Sequence, residues 1–151
     1  MSVNQTINKI SLFIPNLHGG GAERVFINLT RIFAKSGIEV ELIVGNKEGI
    51  LMNEVSDLNV YYLNKRSVSQ CIWPLIKRLR SNPPSILLSA MPHANLAAII
   101  AGRLANKEIK IVATVHENPM YAYQFFSLYE RLVLHTLKFV YPFAHALVAV
   151  S

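Results

Sequence analysis

The sequence predicts a doubly wound α/β domain: a mostly parallel sheet held in three α/β/α layers. Three observations carry that expectation. Short, continuously apolar runs alternate with longer stretches of helical periodicity. The apolar runs read as strands buried on both faces, as in a parallel sheet covered by helices. Six such runs occur in 151 residues, enough for one domain with a proper core. The order 3-2-1-4-5-6 with right-handed crossovers is the natural arrangement.

Each element has its own justification. "KISLFIPN" (Lys9 to Asn16) is an apolar run ended by a Pro and an Asn. Ala22, Val25, Phe26, Leu29, Ile32 and Phe33 then recur at helical spacing, opposite a polar stripe of Arg24, Asn28, Arg31 and Lys35. Gly37 stops that helix, and "VELIVGN" (Val40 to Asn46) reads as the second strand. "VYYLN" (Val60 to Asn64) is the third. Ile72, Leu75, Ile76 and Leu79 mark a helix that "SNPP" (Ser81 to Pro84) ends, and "SILLSA" (Ser85 to Ala90) is the fourth strand. An alanine-rich helix over Asn95 to Asn106 can lie close on a sheet. "IKIVATVH" (Ile109 to His116), a long aromatic helix over Tyr121 to Val140, and "HALVAVS" (His145 to Ser151) complete the alternation.

Composition narrows the function classes. The hydrophobic fraction is 52%, which excludes disorder. The net charge of +6 and pI near 9.6 call for an anionic partner. The basic residues are dispersed over several helices without an aromatic–basic sheet motif, which argues against nucleic acid. Cys71 is the only cysteine, so no internal disulfide forms, and it reads as a packing residue in a reducing, cytoplasmic setting. "MSVNQTINK" contains no apolar signal segment, so the sequons at Asn4 and Asn28 read as coincidental. No His/Cys/Asp/Glu spacing resembles a metal site.

The glycine-rich stretch "NLHGGGAERV" (Asn16 to Val25) falls at the turn from the first strand to the first helix. Gly19, Gly20 and Gly21 permit positive φ and close approach to the backbone, and the free N–H groups opening the helix suit an anion. A P-loop would require Gly-Lys-Ser/Thr where Ala22-Glu23-Arg24 stands. A dinucleotide fingerprint from Gly19 would need glycine at Arg24 and an acid where Asn46 stands. The "HGGG" of His18 to Gly21 resembles an esterase oxyanion loop, but the chain has no Gly-x-Ser-x-Gly elbow. In doubly wound sheets ligands bind beyond the carboxyl ends of the strands. That rule gathers the loop 16–21, "SAMPHAN" (Ser89 to Asn95) and "HENP" (His116 to Pro119) on one edge, and leaves His135 and His145 away from it as structural residues.

These residues resemble a known family. "GGAERVFINLTRIFAKSGIEVELIV" (Gly20 to Val44) is similar to the opening of GT-B glycosyltransferases of family 4, as are "SAMPHANLAAIIAGRLA", "IVATVHENP" and "ALVAVS" further on. The resemblance spans nearly the whole chain, and the Gly-Gly-Ala-Glu-Arg turn and the Thr-Val-His step are its specific parts. It implies that residues 1–151 are the Rossmann-like, acceptor-side amino-terminal domain of a two-domain retaining enzyme. That enzyme would move a sugar from a nucleotide sugar to a saccharide or lipid-linked acceptor, without a cofactor or metal. A carboxyl-terminal domain carrying a Glu-x7-Glu motif would hold most of the donor. The sixth strand ends at Ser151 with no helix after it, so the chain is expected to be the front part of a longer protein, inactive alone.

Residue by residue, the resemblance assigns Gly19, Gly20 and Gly21 to the donor diphosphate. His116 matches the family histidine at the reacting sugar, where an imidazole can donate a hydrogen bond or stabilise charge; a capping histidine at a strand end is the plain alternative. Asn16, His18, Arg24, Ser89, His93, Asn95 and Glu117 are candidates for binding the acceptor. Ser89 and Asn95 could equally cap the following helix, Arg24 could be an ordinary first-turn residue, and Glu117 a solvated carboxylate. The rival function is a non-catalytic module that binds a phosphorylated small molecule through the glycine turn.

The 121–140 helix has one narrow polar stripe of Gln124, Ser127, Arg131, His135 and Lys138. Its charges argue against a membrane span. The apolar surplus is expected to pack on further protein first. Peripheral contact with an anionic membrane, aided by Lys77, Arg78 and Arg80, comes second.

Overall fold

The structure, a computed structural model, describes residues 8–115 and 127–149. The strands are β1 (Lys9–Ile14), β2 (Glu39–Val44), β3 (Val60–Tyr62), β4 (Ile86–Ala90), β5 (Lys110–Val115) and β6 (Ala146–Ala149). The helices are α1 (Gly21–Lys35), α2 (Val68–Ser81), α3 (Pro92–Ala105) and α4 (Leu128–Val140), with 3-10 turns at Ile50–Val55 and Tyr141–Phe143. All six strands are parallel, in the order β3-β2-β1-β4-β5-β6 that the apolar pattern predicts.

β1 is central and buried at every position. Leu12 sits between Leu42 and Leu88 in register. The alternation of a strand sends its two sets of side chains into two cores. Ile10, Leu12 and Ile14 meet Phe26 and Ile27 of α1 and Leu51 and Val55 of the 3-10 turn. Phe13 faces the other way, into Leu75, Ile76 and Leu79 of α2 and the alanines of α3. Small residues let α3 lie close on the sheet: a Cβ at Gly102 would press on Ile111. Each fully buried Leu, Ile or Phe contributes roughly 1.5–3 kcal/mol by removal from water, so the two cores together hold the sheet.

Polar groups fasten α2 to the sheet. The buried Glu41 carboxylate of β2 accepts from Arg78, with Nε at 3.1 Å, and the guanidinium stacks 4.2 Å from the Tyr61 ring centroid of β3. Arg78 is therefore committed to the interior and does not serve as the surface cation expected for membrane contact. Arg80 donates to the Leu104 carbonyl of α3 at 2.8 Å. Cys71 is buried, its thiol pushed up by desolvation and lying 3.4 Å from the Ser67 carbonyl, which fits a packing role. At the opposite end of the sheet Ile111 N–H donates to His145 Nδ1 at 3.0 Å, so His145 is structural as expected.

Two points differ from the sequence reading, the start of α3 and the cover of β6, and one falls partly outside the described residues. α3 begins at Pro92, ahead of the expected Asn95, because Met91 turns the chain at φ +76° and proline fits the first helical position. The described part of the aromatic helix is Leu128–Val140, and its segment 121–126 lies outside the described residues. Ala146–Ala149 of β6 is exposed at every position, although the sequence pattern implies a strand covered on both faces. Leu128, Leu132 and Phe139 of α4 are also exposed. No helix among the described residues is long and apolar enough to cross a membrane.

Candidate functional site

The carboxyl ends of β1, β2 and β3 are stitched into one ledge by backbone hydrogen bonds that continue past the strands. Gly45 N–H donates to Ile14 O at 3.0 Å, Asn46 N–H to Pro15 O at 2.9 Å, and Lys65 N–H to Gly45 O at 2.8 Å. Beyond them Leu17 N–H donates to Glu48 O at 3.2 Å, and Leu17 O accepts from Leu51 N–H at 3.1 Å. The loops after β1 and β2 thus lie directly on each other. Two positions make that contact possible. Gly19 (φ +106°) leaves room for the Ile50 side chain, which would lie 2.7 Å from an added Cβ. Gly49, at φ +133° and ψ 165°, would drive a Cβ into the Leu17 carbonyl.

The glycine turn opens α1 as expected. Gly20 is the N-cap residue, without a side-chain cap, and a Cβ on Gly21 would meet nothing within 4 Å. The first-turn N–H groups of α1 are therefore approachable from outside, at the positive end of the helix dipole. Beneath the turn the Glu23 side chain is buried against Gly20.

An open cleft of about 530 Å³ lies along the ledge, between the loop after β1 and the first turns of α2 and α3. Of the sequence candidates, Asn16, His18 and His93 converge on it. Asn16 Oδ1 accepts from His18 N–H at 3.2 Å, a local turn that presents the His18 side chain to solvent. The remaining lining includes Asn46, Arg66, Ser67 and Ser69, none of which the sequence reading singled out.

The other candidates lie elsewhere. Ser89 and Asn95 are fully buried beneath the edge rather than on it. Ser89 Oγ donates to Asn95 Oδ1 at 2.7 Å, Asn95 Nδ2 donates to Thr114 O at 3.0 Å, and Thr114 Oγ1 donates back to Ser89 O at 3.0 Å. This set, which Asn95 Nδ2 extends to Tyr141 Oη at 3.5 Å, ties the ends of β4 and β5 to the start of α3. Its polar atoms are spent internally, so both residues support the edge instead of contacting a ligand at its surface. Truncating the amide in Asn95→Ala should cost about 2–4 kcal/mol, since the buried Ser89 hydroxyl loses its acceptor. Urea denaturation measures this, and a loss below about 0.5 kcal/mol would contradict the assignment. Arg24 turns away to Glu54 of the 3-10 turn at 3.2 Å, with both side chains about half exposed. His116 and Glu117 lie outside the described residues, immediately after the last residue of β5, Val115.

The architecture is thus a Rossmann-like α/β domain with an open polar site at the carboxyl edge of its sheet. The glycosyltransferase family 4 model matches residues 19–151, and the chain belongs to that family. An uncharacterized glycosyltransferase of Haemophilus influenzae is 32% identical over 117 residues, which is 73% of this chain and 33% of the relative. The apo form of the lipopolysaccharide outer core galactosyltransferase WaaB shares the fold, with a TM-score of 0.64 at 16% identity over 84% of this chain and 37% of that one. The chain therefore spans about a third of the length of either protein. The sheet is the Rossmann-like half of a GT-B architecture, and the family is one of glycosyltransferases.

Proposed function

We propose that this chain is the acceptor-side domain of a retaining glycosyltransferase that transfers a sugar from a nucleotide sugar to a saccharide or lipid-linked acceptor. Synthesis of cell-surface polysaccharide or glycolipid is the setting in which such a reaction fits, in line with the lipopolysaccharide outer core galactosyltransferase WaaB. The observation that carries the reading is the cleft at the carboxyl edge, flanked by the approachable glycine turn, in a chain of family 4.

Glycosyl transfer joins an acceptor hydroxyl oxygen to the anomeric carbon as the bond from that carbon to the diphosphate oxygen breaks, and the hydroxyl proton passes to the departing diphosphate. The diphosphate leaves with the electron pair and with growing negative charge. The N–H groups of the Gly20–Gly21 turn and the α1 dipole suit that charge. Asn16, His18 and His93 supply donors and acceptors for the hydroxyls of an acceptor in the cleft. A second domain would close over this face, hold the nucleotide and exclude water.

The test compares the complete protein that contains this chain with residues 1–151 alone, using a panel of nucleotide sugars. The complete protein is expected to transfer or hydrolyse at least one donor, and the isolated chain none. Turnover by residues 1–151 alone would overturn the two-domain reading. A complete protein inert toward every donor would overturn glycosyl transfer itself.

A further inference from the structure

The cleft has a chemical bias that the general reading of an acceptor site does not require. Its lining contains one guanidinium, from Arg66, and two imidazoles, from His18 and His93. Around these stand the amides of Asn16 and Asn46 and serine hydroxyls, with no carboxylate among the described lining residues. A site built only for neutral sugar hydroxyls has no such need, since hydroxyls are read equally well by carboxylates and amides.

Arg66 carries this bias. It is exposed at the mouth of α2, and it takes part in none of the ion pairs among the described residues, which use Arg24, Arg31, Arg78 and Lys9. Its place is nonetheless well defined. Lys65 N–H is bonded to Gly45 O, and α2 is fastened from behind by Arg78 on Glu41. The guanidinium is thus a fixed-origin cation with an unspent planar fork, the geometry that binds phosphate or carboxylate through two parallel hydrogen bonds. Gly19, Gly20 and Gly21 are not part of the lining, which reaches the turn only at His18.

Resting on the glycosyltransferase reading, we infer that Arg66 is a specificity-determining residue which selects an acceptor carrying a phosphate ester or a carboxylate. Arg66 binds the anionic group while His18 and His93 border the same ligand. Neutral sugars lack the group that this cation recognises.

The complete protein is titrated with glucose 6-phosphate, glucuronate, glucose and uridine diphosphate while the backbone amides of Ser67, Ser69, Gly20 and Gly21 are followed by NMR. Glucose 6-phosphate or glucuronate is expected to shift Ser67 and Ser69, and the better of the two identifies the acceptor's anion. Uridine diphosphate should shift Gly20 and Gly21 instead. Arg66→Ala should weaken the anionic probe about 10- to 100-fold, as for loss of a charge-assisted contact, with partial recovery in Arg66→Lys. Lys107→Ala, which removes a distant exposed charge, should leave it unchanged. Equal binding of glucose, equal binding to Arg66→Ala, no response at Ser67 and Ser69, or preferential occupation of that place by uridine diphosphate would each overturn the proposal. Donor hydrolysis by the unaltered protein reads the parent assignment separately: its absence rejects glycosyl transfer, while the titration stands on its own result.

Discussion

Gly49→Ala should destabilise the protein by about 3 kcal/mol or more, lowering its melting temperature by roughly 6–12 °C for a domain of this size. The backbone at Gly49, φ +133° and ψ 165°, lies in a region that only glycine occupies without strain. The strain is only part of the effect. A methyl group there would run into the Leu17 carbonyl, which already accepts from Leu51 N–H at 3.1 Å, and both are backbone atoms. Side chains can rotate away from a collision, but a ladder of backbone hydrogen bonds must part. The loops after β1 and β2 would then separate, taking Asn16, His18 and Asn46 out of their common ledge. Gly37→Ala provides the comparison: its φ is +77°, yet nothing lies within 4 Å of the new methyl group. That variant should lose only about 1–2 kcal/mol, the conformational term alone. Thermal and urea unfolding of the two variants decide the matter, and equal losses would remove the proposed role of the Leu17 contact.

The same two loops show where sequence reading succeeds and where it stops. The strand order was legible because buried parallel strands leave continuous apolar runs such as "KISLFI" and "KIVATV", and because helical periodicity separates them. The rule that ligands bind at carboxyl edges grouped Asn16, His18 and His93, and these three line one cleft. It could not tell which polar residues at a strand end face outward. Ser89 stands on the edge in sequence, yet its side chain points inward to Asn95. Arg66 and Ser67 follow a three-residue strand and Ser69 lies in the first turn of α2, whose apolar stripe only becomes evident at Cys71, so no local pattern marks them. They reach the cleft only because Lys65 pairs with Gly45 across the sheet. Gly49 looks like any loop glycine until Leu17 is placed beneath it.

In the complete protein, His116→Ala should lower turnover by about 10²–10³ while leaving folding intact. The motivation is its match to the family's Thr-Val-His step and its position in the chain. β5 pairs with β4 from Ile86↔Lys110 to Ala90↔Thr114 and is described as far as Val115, the residue before His116 in the sequence. The buried set of Ser89, Asn95 and Thr114 holds the described end of β5, since Asn95 Nδ2 donates to the Thr114 carbonyl at 3.0 Å. An imidazole can donate to a sugar hydroxyl or stabilise charge at the anomeric centre, and a preorganised donor acts mainly on the transition state. The loss should therefore fall on kcat, with the KM for the nucleotide sugar little changed. His116→Asn keeps a side-chain donor and should retain more activity than the alanine variant. Asn95→Ala offers a second check: by loosening the described end of β5 it should lower kcat as well as stability, whereas a structural loss elsewhere in the sheet would lower stability alone. A folded His116→Ala protein with unaltered kcat would reduce His116 to a residue that merely ends a strand.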